Sequence, residues 1–206
     1  KMALAHKGLF AETIAWRFTE KSVLPNPNAG QVPVLVDGGH AIADSWKIAG
    51  YLDQHYPERP LFACAQARAH ALLIKFWFER NIHPLFARLL VPDVFVILDE
   101  RDKAYFREPR EKRFGMPLEQ LAGEREQSVR KVREGLEPLR AMLAEQPFVA
   151  GQTPGFADYI ALAPLQWARC SSAIALLENG DPVFAYRERM LDLHDGFARK
   201  APCMGA

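Results

Sequence analysis

Cysteine is scarce in this chain, with three among 206 residues. Cys64, Cys170 and Cys203 are far apart, odd in number and never in a CxxC pair. Neither a disulfide framework nor a zinc knuckle is indicated, and a reducing compartment, the cytoplasm, is expected. The six histidines, His6, His40, His55, His70, His83 and His194, show no HxH or HxxxH spacing, so no metal is expected. An excess of one charge is also missing: 26 Lys and Arg against 25 Asp and Glu leave +1, which gives no electrostatic reason to expect nucleic acid or an anionic membrane as the main partner. No stretch approaches the roughly 18 consecutive apolar residues that a membrane span needs. Lys1 to Gly8 lack the apolar core and cleavage site of a secretory signal and read as the end of a helix, with Gly8 as its stop. What remains is an ordinary globular composition, 49% apolar and 25% charged, which excludes disorder and low complexity. At roughly 150 residues per domain, it is one large domain or two small ones.

Thr13 to Phe18, where β-branched and aromatic residues alternate with others, predicts a strand, and the Pro- and Asn-rich Lys21 to Gln31 predicts a loop. Val32 to Val36 and Ala41 to Ala43 flank Asp37-Gly38-Gly39-His40, the pattern of a β-hairpin. Because proline cannot donate to a ladder, Pro33 must face away from strand pairing or carry an unusual peptide bond. Asp44-Ser45 offers an N-cap before Trp46, Ile48, Ala49, Leu52 and Tyr56, which have helical spacing. Pro57-Glu58-Arg59-Pro60 breaks the chain, and beyond about Cys64 the period is helical, which divides the sequence into 1–60 and 61–206. Helices are predicted around 72–80, through Val129, Val132, Leu136, Leu139 and Leu143, over 158–177 and over 184–198. Pro92 to Gly123 is too charged and weakly patterned to assign.

The stretch VPVLVDGGHAIADSWKIAGYLDQHYPERPLF, with Val32-Pro33 followed by Asp44-Ser45, resembles the thioredoxin-like half of a cytosolic glutathione transferase. Gly151 to Ile160, GQTPGFADYI, is similar to the helical-domain segment that carries the family's buried Ala-Asp. Phe106 to Gly115, with Leu118-Glu119-Gln120 and Gly123-Glu124-Arg125, resembles the bacterial β-etherase and fungal etherase-like branch. The resemblance implies an α/β thioredoxin-like N-terminal domain, incomplete here, followed by an all-α helical bundle. It also implies glutathione as the small-molecule partner. Val32 would offer its backbone to the cysteinyl unit beside a cis bond to Pro33, Ser45 at a helix start would take the γ-glutamyl carboxylate, and Asp44 would stand next to it. Gln31 matches a glutamine that lines the same cleft in some classes. The implied reaction is attack of the glutathione thiolate on a hydrophobic, aromatic electrophile with release of phenolate or halide, in a homodimer.

In the family a Ser, Cys or Tyr just after the first strand favours the thiolate. If Lys1 to Gly8 end the first helix, that segment precedes residue 1, the sequence is expected to be a fragment, and no catalytic residue can be named. Cys64, in the linker, does not substitute. Read alone, Val32-Pro33 is an edge strand and Asp44-Ser45 a helix cap; their spacing joins them. Asp158, in an apolar run, reads as a buried structural cap, although Gly155 stands where the family commonly has Ser or Thr and the reciprocal capping box is expected to be lost. Arg107 to Arg113 reads as a solvated face, and Trp77, Phe78, Tyr159 and Trp167 read as core packing. Two other functions stay open: a non-catalytic binder of ligands or proteins on the same fold, and a glutathione-dependent reductase or isomerase.

Overall fold

A computed structural model describes residues 1–25 and 32–204. Helix α1 (Met2–Lys7) stops at Gly8, whose φ of 69° is the left-handed conformation that glycine adopts freely, so its N–H can return to the Ala5 carbonyl. Strands β1 (Val34–Asp37) and β2 (His40–Ala43) form the antiparallel hairpin, with Gly38 and Gly39 both at positive φ in its turn. They are the sheet among the described residues. Helix α2 (Ser45–His55) follows at once and buries Ile48, Ala49 and Leu52. The strand expected at Thr13 to Phe18 is not there: that stretch is irregular and ends in a turn at Phe18-Thr19. A β-prone run needs a ladder partner, and these side chains are instead committed to a helix far along the chain.

Beyond residue 64 the regular elements among the described residues are helices, apart from an isolated bridge between Phe148 and Gly151. Helix α3 (Ala65–Trp77) is capped by Cys64, whose sulfur accepts from the Ala67 N–H at 3.4 Å. It runs through one π-helical turn (Phe78–Ile82) into α4 (His83–Ile97). The unassigned region holds α5 (Glu100–Phe114) and α6 (Leu118–Gly123). The single stripe from Val129 to Leu143 is two helices, α7 (Arg125–Gly135) and α8 (Glu137–Glu145). Pro138 lacks an N–H and its ring would crowd the carbonyl four residues back, so the helix breaks at Leu136 while Val132, Leu136 and Leu139 stay buried on one face. Helix α9 (Phe156–Ser171) ends short of Leu177, because Ser172 turns extended and its hydroxyl bonds to Asp93. Helix α10 (Pro182–Gly196) is kinked at 193–195, where His194 and Asp195 have positive φ. No helix among the described residues is long and apolar enough to cross a membrane.

The main core joins α2 and α3 to α4 and α7–α10, and a smaller cluster of Ala87, Val91, Phe106, Leu118 and Leu121 packs α5 and α6 on α4. Polar chains tie the N-terminal part to the bundle. The Lys7 ammonium, on a fully buried side chain, lies against Asp53 of α2 and donates to the Tyr56 and Glu58 carbonyls. Asp53 accepts from the N–H groups of Leu61 and Phe62, and the Leu61 carbonyl accepts from the Phe156 N–H at the start of α9.

A second tie is made by histidines distant in sequence. The Tyr159 hydroxyl lies 2.6 Å from His6 Nδ1 and 2.9 Å from His194 Nε2, so one ring accepts from it and the other donates to it. Burial holds both imidazoles below the ordinary value of 6.5, and for His6 the nearby His194 and Lys7 add to burial while Asp53 opposes it. Groups with depressed folded pKa bind fewer protons than in the unfolded chain, so stability is full above about 6.5 and is lost as pH falls below it. The thermal midpoint should therefore drop more between pH 7.5 and 5.5 for the native chain than for His6→Gln/His194→Gln. Equal drops would remove the histidines from the acid response.

Candidate functional site

The hairpin register, Val34 opposite Ala43 through Asp37 opposite His40, brings Pro33 beside Asp44. The Asp44 N–H donates to the Pro33 carbonyl at 3.2 Å, so two motifs eleven residues apart are held by one backbone bond. The Val32-Pro33 peptide is cis. Asp44 has φ 80° and ψ 127°, a conformation side chains rarely adopt, and such outliers gather at functional positions. It caps α2: its Oδ1 accepts from the N–H groups of Trp46 and Lys47, each at 3.0 Å. Ser45 is left exposed at the first position of the helix, at the positive end of its dipole. The hairpin's far end is also tied to α2, because Asp37 accepts from the Tyr56 hydroxyl at 2.6 Å and the Tyr51 hydroxyl at 3.0 Å, which holds its carboxyl below the usual range. Trp46 roots the start of α2 against Phe62 and Phe156.

The facing wall comes from residues 16–20 and α5. The N–H and hydroxyl of Thr19 both donate to the buried Asp102 carboxylate, at 3.1 and 2.8 Å, and Arg17 pairs with Asp99. Between these anchors the Phe18 ring packs against Trp16 and Phe106, each 5.6 Å away. The Arg110 guanidinium lies 3.8 Å over the Phe106 ring and 5.4 Å from Phe18. The two walls enclose an open cavity of about 430 Å³, within the range of small-molecule sites. Val32, Pro33, Asp44 and Ser45 line one side, and Trp16, Phe18, Tyr105 and Arg110 line the other.

Four of the five expected site residues thus meet in one cavity; Gln31 lies outside the described residues. Trp16, Phe18, Tyr105 and Arg110 were not expected there. Their only signal is an aromatic-rich segment and a helix capped by Asp99 and Gly115. Of Trp77, Phe78, Tyr159 and Trp167, none lines the cavity, and Phe78 and Tyr159 are buried core residues. In the basic run, Arg107 is engaged by Glu119 and Glu111, and its guanidinium pulls the Glu119 carboxyl down to about 2. Asp158 is buried as expected. Its carboxylate accepts from the N–H groups of Val149, Ala150 and Gly155, so the acidic half of the capping box survives while Gly155 supplies only its backbone carbonyl to the Asp158 N–H. A side chain on Gly155 would stand 3.1 Å from the Ala150 Cβ and 3.3 Å from the Leu61 carbonyl, too tight without a small shift of both.

Residues 69–175 match the glutathione S-transferase C-terminal domain, and residues 1–60 match the glutathione S-transferase N-terminal domain. A glutathione S-transferase-like protein of Aspergillus flavus, ustS, is 34% identical over 142 residues, 62% of this chain and 50% of that protein. A zeta-class glutathione S-transferase of Euphorbia esula is 40% identical over 67 residues, 30% of this chain and 29% of that one. The matches thus span half or less of these curated relatives. A glutathione S-transferase of Ceriporiopsis subvermispora, crystallised with glutathione, superposes with a TM-score of 0.80 at 24% identity, covering 95% of this chain and 89% of that one. A glutathione transferase of Phanerochaete chrysosporium gives 0.73 at 24%, covering 96% and 83%. At such identities these structures establish the fold. With both domain profiles matched in chain order, this chain belongs to the glutathione S-transferase family.

Proposed function

We propose that this cavity binds glutathione on its Val32-Ser45 side and an aromatic electrophile on the side built from residues 16–20 and α5, so that 1–60 serves the peptide and shares the acceptor wall with 61–206. The observation that carries this is the convergence of Val32-Pro33 and Asp44-Ser45 with three aromatic rings on one cavity. Val32 is exposed and offers its backbone to an extended peptide in the manner of strand addition. The Ser45 hydroxyl and the start of α2 would hold a carboxylate, while Asp44, its Oδ1 committed to the helix's own N–H groups, keeps that start in place. Glutathione supplies the nucleophile: sulfur bonds to the electrophilic carbon, the carbon's bond to an aryloxide oxygen or halide breaks, and the thiol proton leaves to solvent or the departing oxygen. Trp16, Phe18 and Tyr105 provide flat apolar surface that would orient an aromatic ring and exclude water. The likeness of residues 106–125 to the etherase branch supports an aryl ether as that substrate, since α5 carries this wall. Exposed Leu72, Leu73 and Phe76 at helical spacing on α3 support pairing of two chains.

Calorimetric titration with glutathione tests the reading. Ser45→Ala should weaken binding by about 1–2 kcal/mol, the contribution of a charge-assisted hydrogen bond. A well-folded native protein that takes up no glutathione would overturn the transferase reading and leave a binding scaffold in its place.

A further inference from the structure

Arg110 is the only cation lining the cavity among the described residues. The other basic residues on the early turns of α5 are occupied: Arg101 pairs with Asp99, Lys103 with Glu100, and Arg107 with Glu111 and Glu119. Arg110 pairs with no carboxylate among the described residues. Of its five N–H donors, one bond is made among the described residues, from Nη1 to the Phe106 carbonyl at 3.2 Å. Its plane is held by two rings, 3.8 Å over Phe106 and 5.4 Å from Phe18, so the fork is oriented before a ligand arrives. Burial pulls its pKa down from the ordinary value, with Tyr105 opposing and Arg113 adding to the shift. The one acid in the lining, Asp44, directs its Oδ1 to the backbone of α2.

We propose that Arg110 is a specificity-determining residue that selects an aromatic acceptor bearing a carboxylate, the ring lying against Phe18, Trp16 and Tyr105 and the anion on the guanidinium. This rests on the reading of the cavity as the acceptor cleft of a transferase, and it narrows the substrate to an anionic aromatic class. A carboxylate on a preoriented guanidinium gains two parallel charge-assisted bonds, whereas a neutral amide on the same ring gains one weak one.

The test titrates 1-naphthoate and 1-naphthamide into the protein, with and without glutathione, and compares Arg110→Gln and Arg110→Lys. The native protein should bind the carboxylate about tenfold tighter than the amide. Arg110→Gln should erase that preference while leaving the amide within about twofold, and Arg110→Lys should retain part of it. Equal binding of the two probes by the native protein would overturn the proposal. So would an equal loss of both in Arg110→Gln with an unchanged melting temperature. A loss confined to glutathione would also overturn it, by assigning Arg110 to the tripeptide. A retained naphthoate preference in a native protein that does not bind glutathione would sustain the anion selectivity and overturn only the transferase reading.

Discussion

Asp158→Ala should lower the unfolding free energy by about 3–5 kcal/mol, measured as a shift of the urea midpoint at constant slope. The carboxylate is fully buried, yet each oxygen is fully used. Oδ1 accepts from the Val149 N–H at 2.7 Å and the Tyr186 hydroxyl at 3.1 Å, and Oδ2 accepts from the N–H groups of Ala150 and Gly155 at 3.1 and 2.9 Å. Alanine would strand the buried Val149 and Gly155 N–H groups away from water, at about 1–3 kcal/mol each before relaxation, while the Tyr186 hydroxyl keeps the residue-158 carbonyl at 3.2 Å. Burial outweighs the four bonds and pushes the carboxyl above its usual range, so charge matters less here than acceptor count. Asp158→Asn tests this. An amide keeps the oxygen for Val149 and Tyr186 but turns an NH₂ toward Ala150 and Gly155, so it should cost about half as much as alanine. An Asn variant as unstable as Ala would assign the effect to lost charge instead.

Lys7→Met should destabilise by a comparable 3–5 kcal/mol, as expected when one partner of a buried ion pair is removed. Methionine fills a similar volume, so the change isolates the ammonium. The loss leaves Asp53, whose side chain is 18% exposed, without its cation, and the Tyr56 and Glu58 carbonyls without a donor. It also loosens the clasp through which Asp53 holds Leu61 and Phe62, the chain leading to α9. A double-mutant cycle with Asp53→Asn reads the pair directly. Asn still has an oxygen for one of the two N–H groups, so the double variant should be more stable than the sum of the singles by about 1–3 kcal/mol. Additivity within about 0.5 kcal/mol would show that Lys7 acts only through its carbonyl bonds.

The hairpin, the cap of α2 and the buried role of Asp158 were legible because each is written in neighbouring residues. Gly38-Gly39 sets the turn, Asp44 stands before an apolar helical stripe, and Asp158 stands inside an apolar run. Local rules also misread one stretch and left another unread. Trp16 to Phe18 has the residues of a strand, but the pull on it is Thr19 to Asp102 and Phe18 to Phe106, contacts more than eighty residues away. Helix α5 escaped notice because it buries only Asp102 and Phe106, one turn apart, and fills the rest of its surface with charge. A helix that rests on two residues leaves almost no periodic trace.

By itself, the sequence determined the hairpin side of the cavity, the side proposed above to take a peptide. Its four residues are close along the chain, and one antiparallel hairpin suffices to bring Pro33 to Asp44. Only the tertiary structure decided what faces them. Trp16, Phe18, Tyr105 and Arg110 come from segments nearly ninety residues apart, joined by buried hydrogen bonds and ring contacts that no local pattern encodes. The same holds for His6, Tyr159 and His194, which are unrelated in sequence and share one hydroxyl in the fold. Short-range geometry is set by backbone conformation and can be read from residue type. The partner of a surface helix or an irregular segment is set by which apolar and polar groups must be taken from water together, and that is a property of the whole chain.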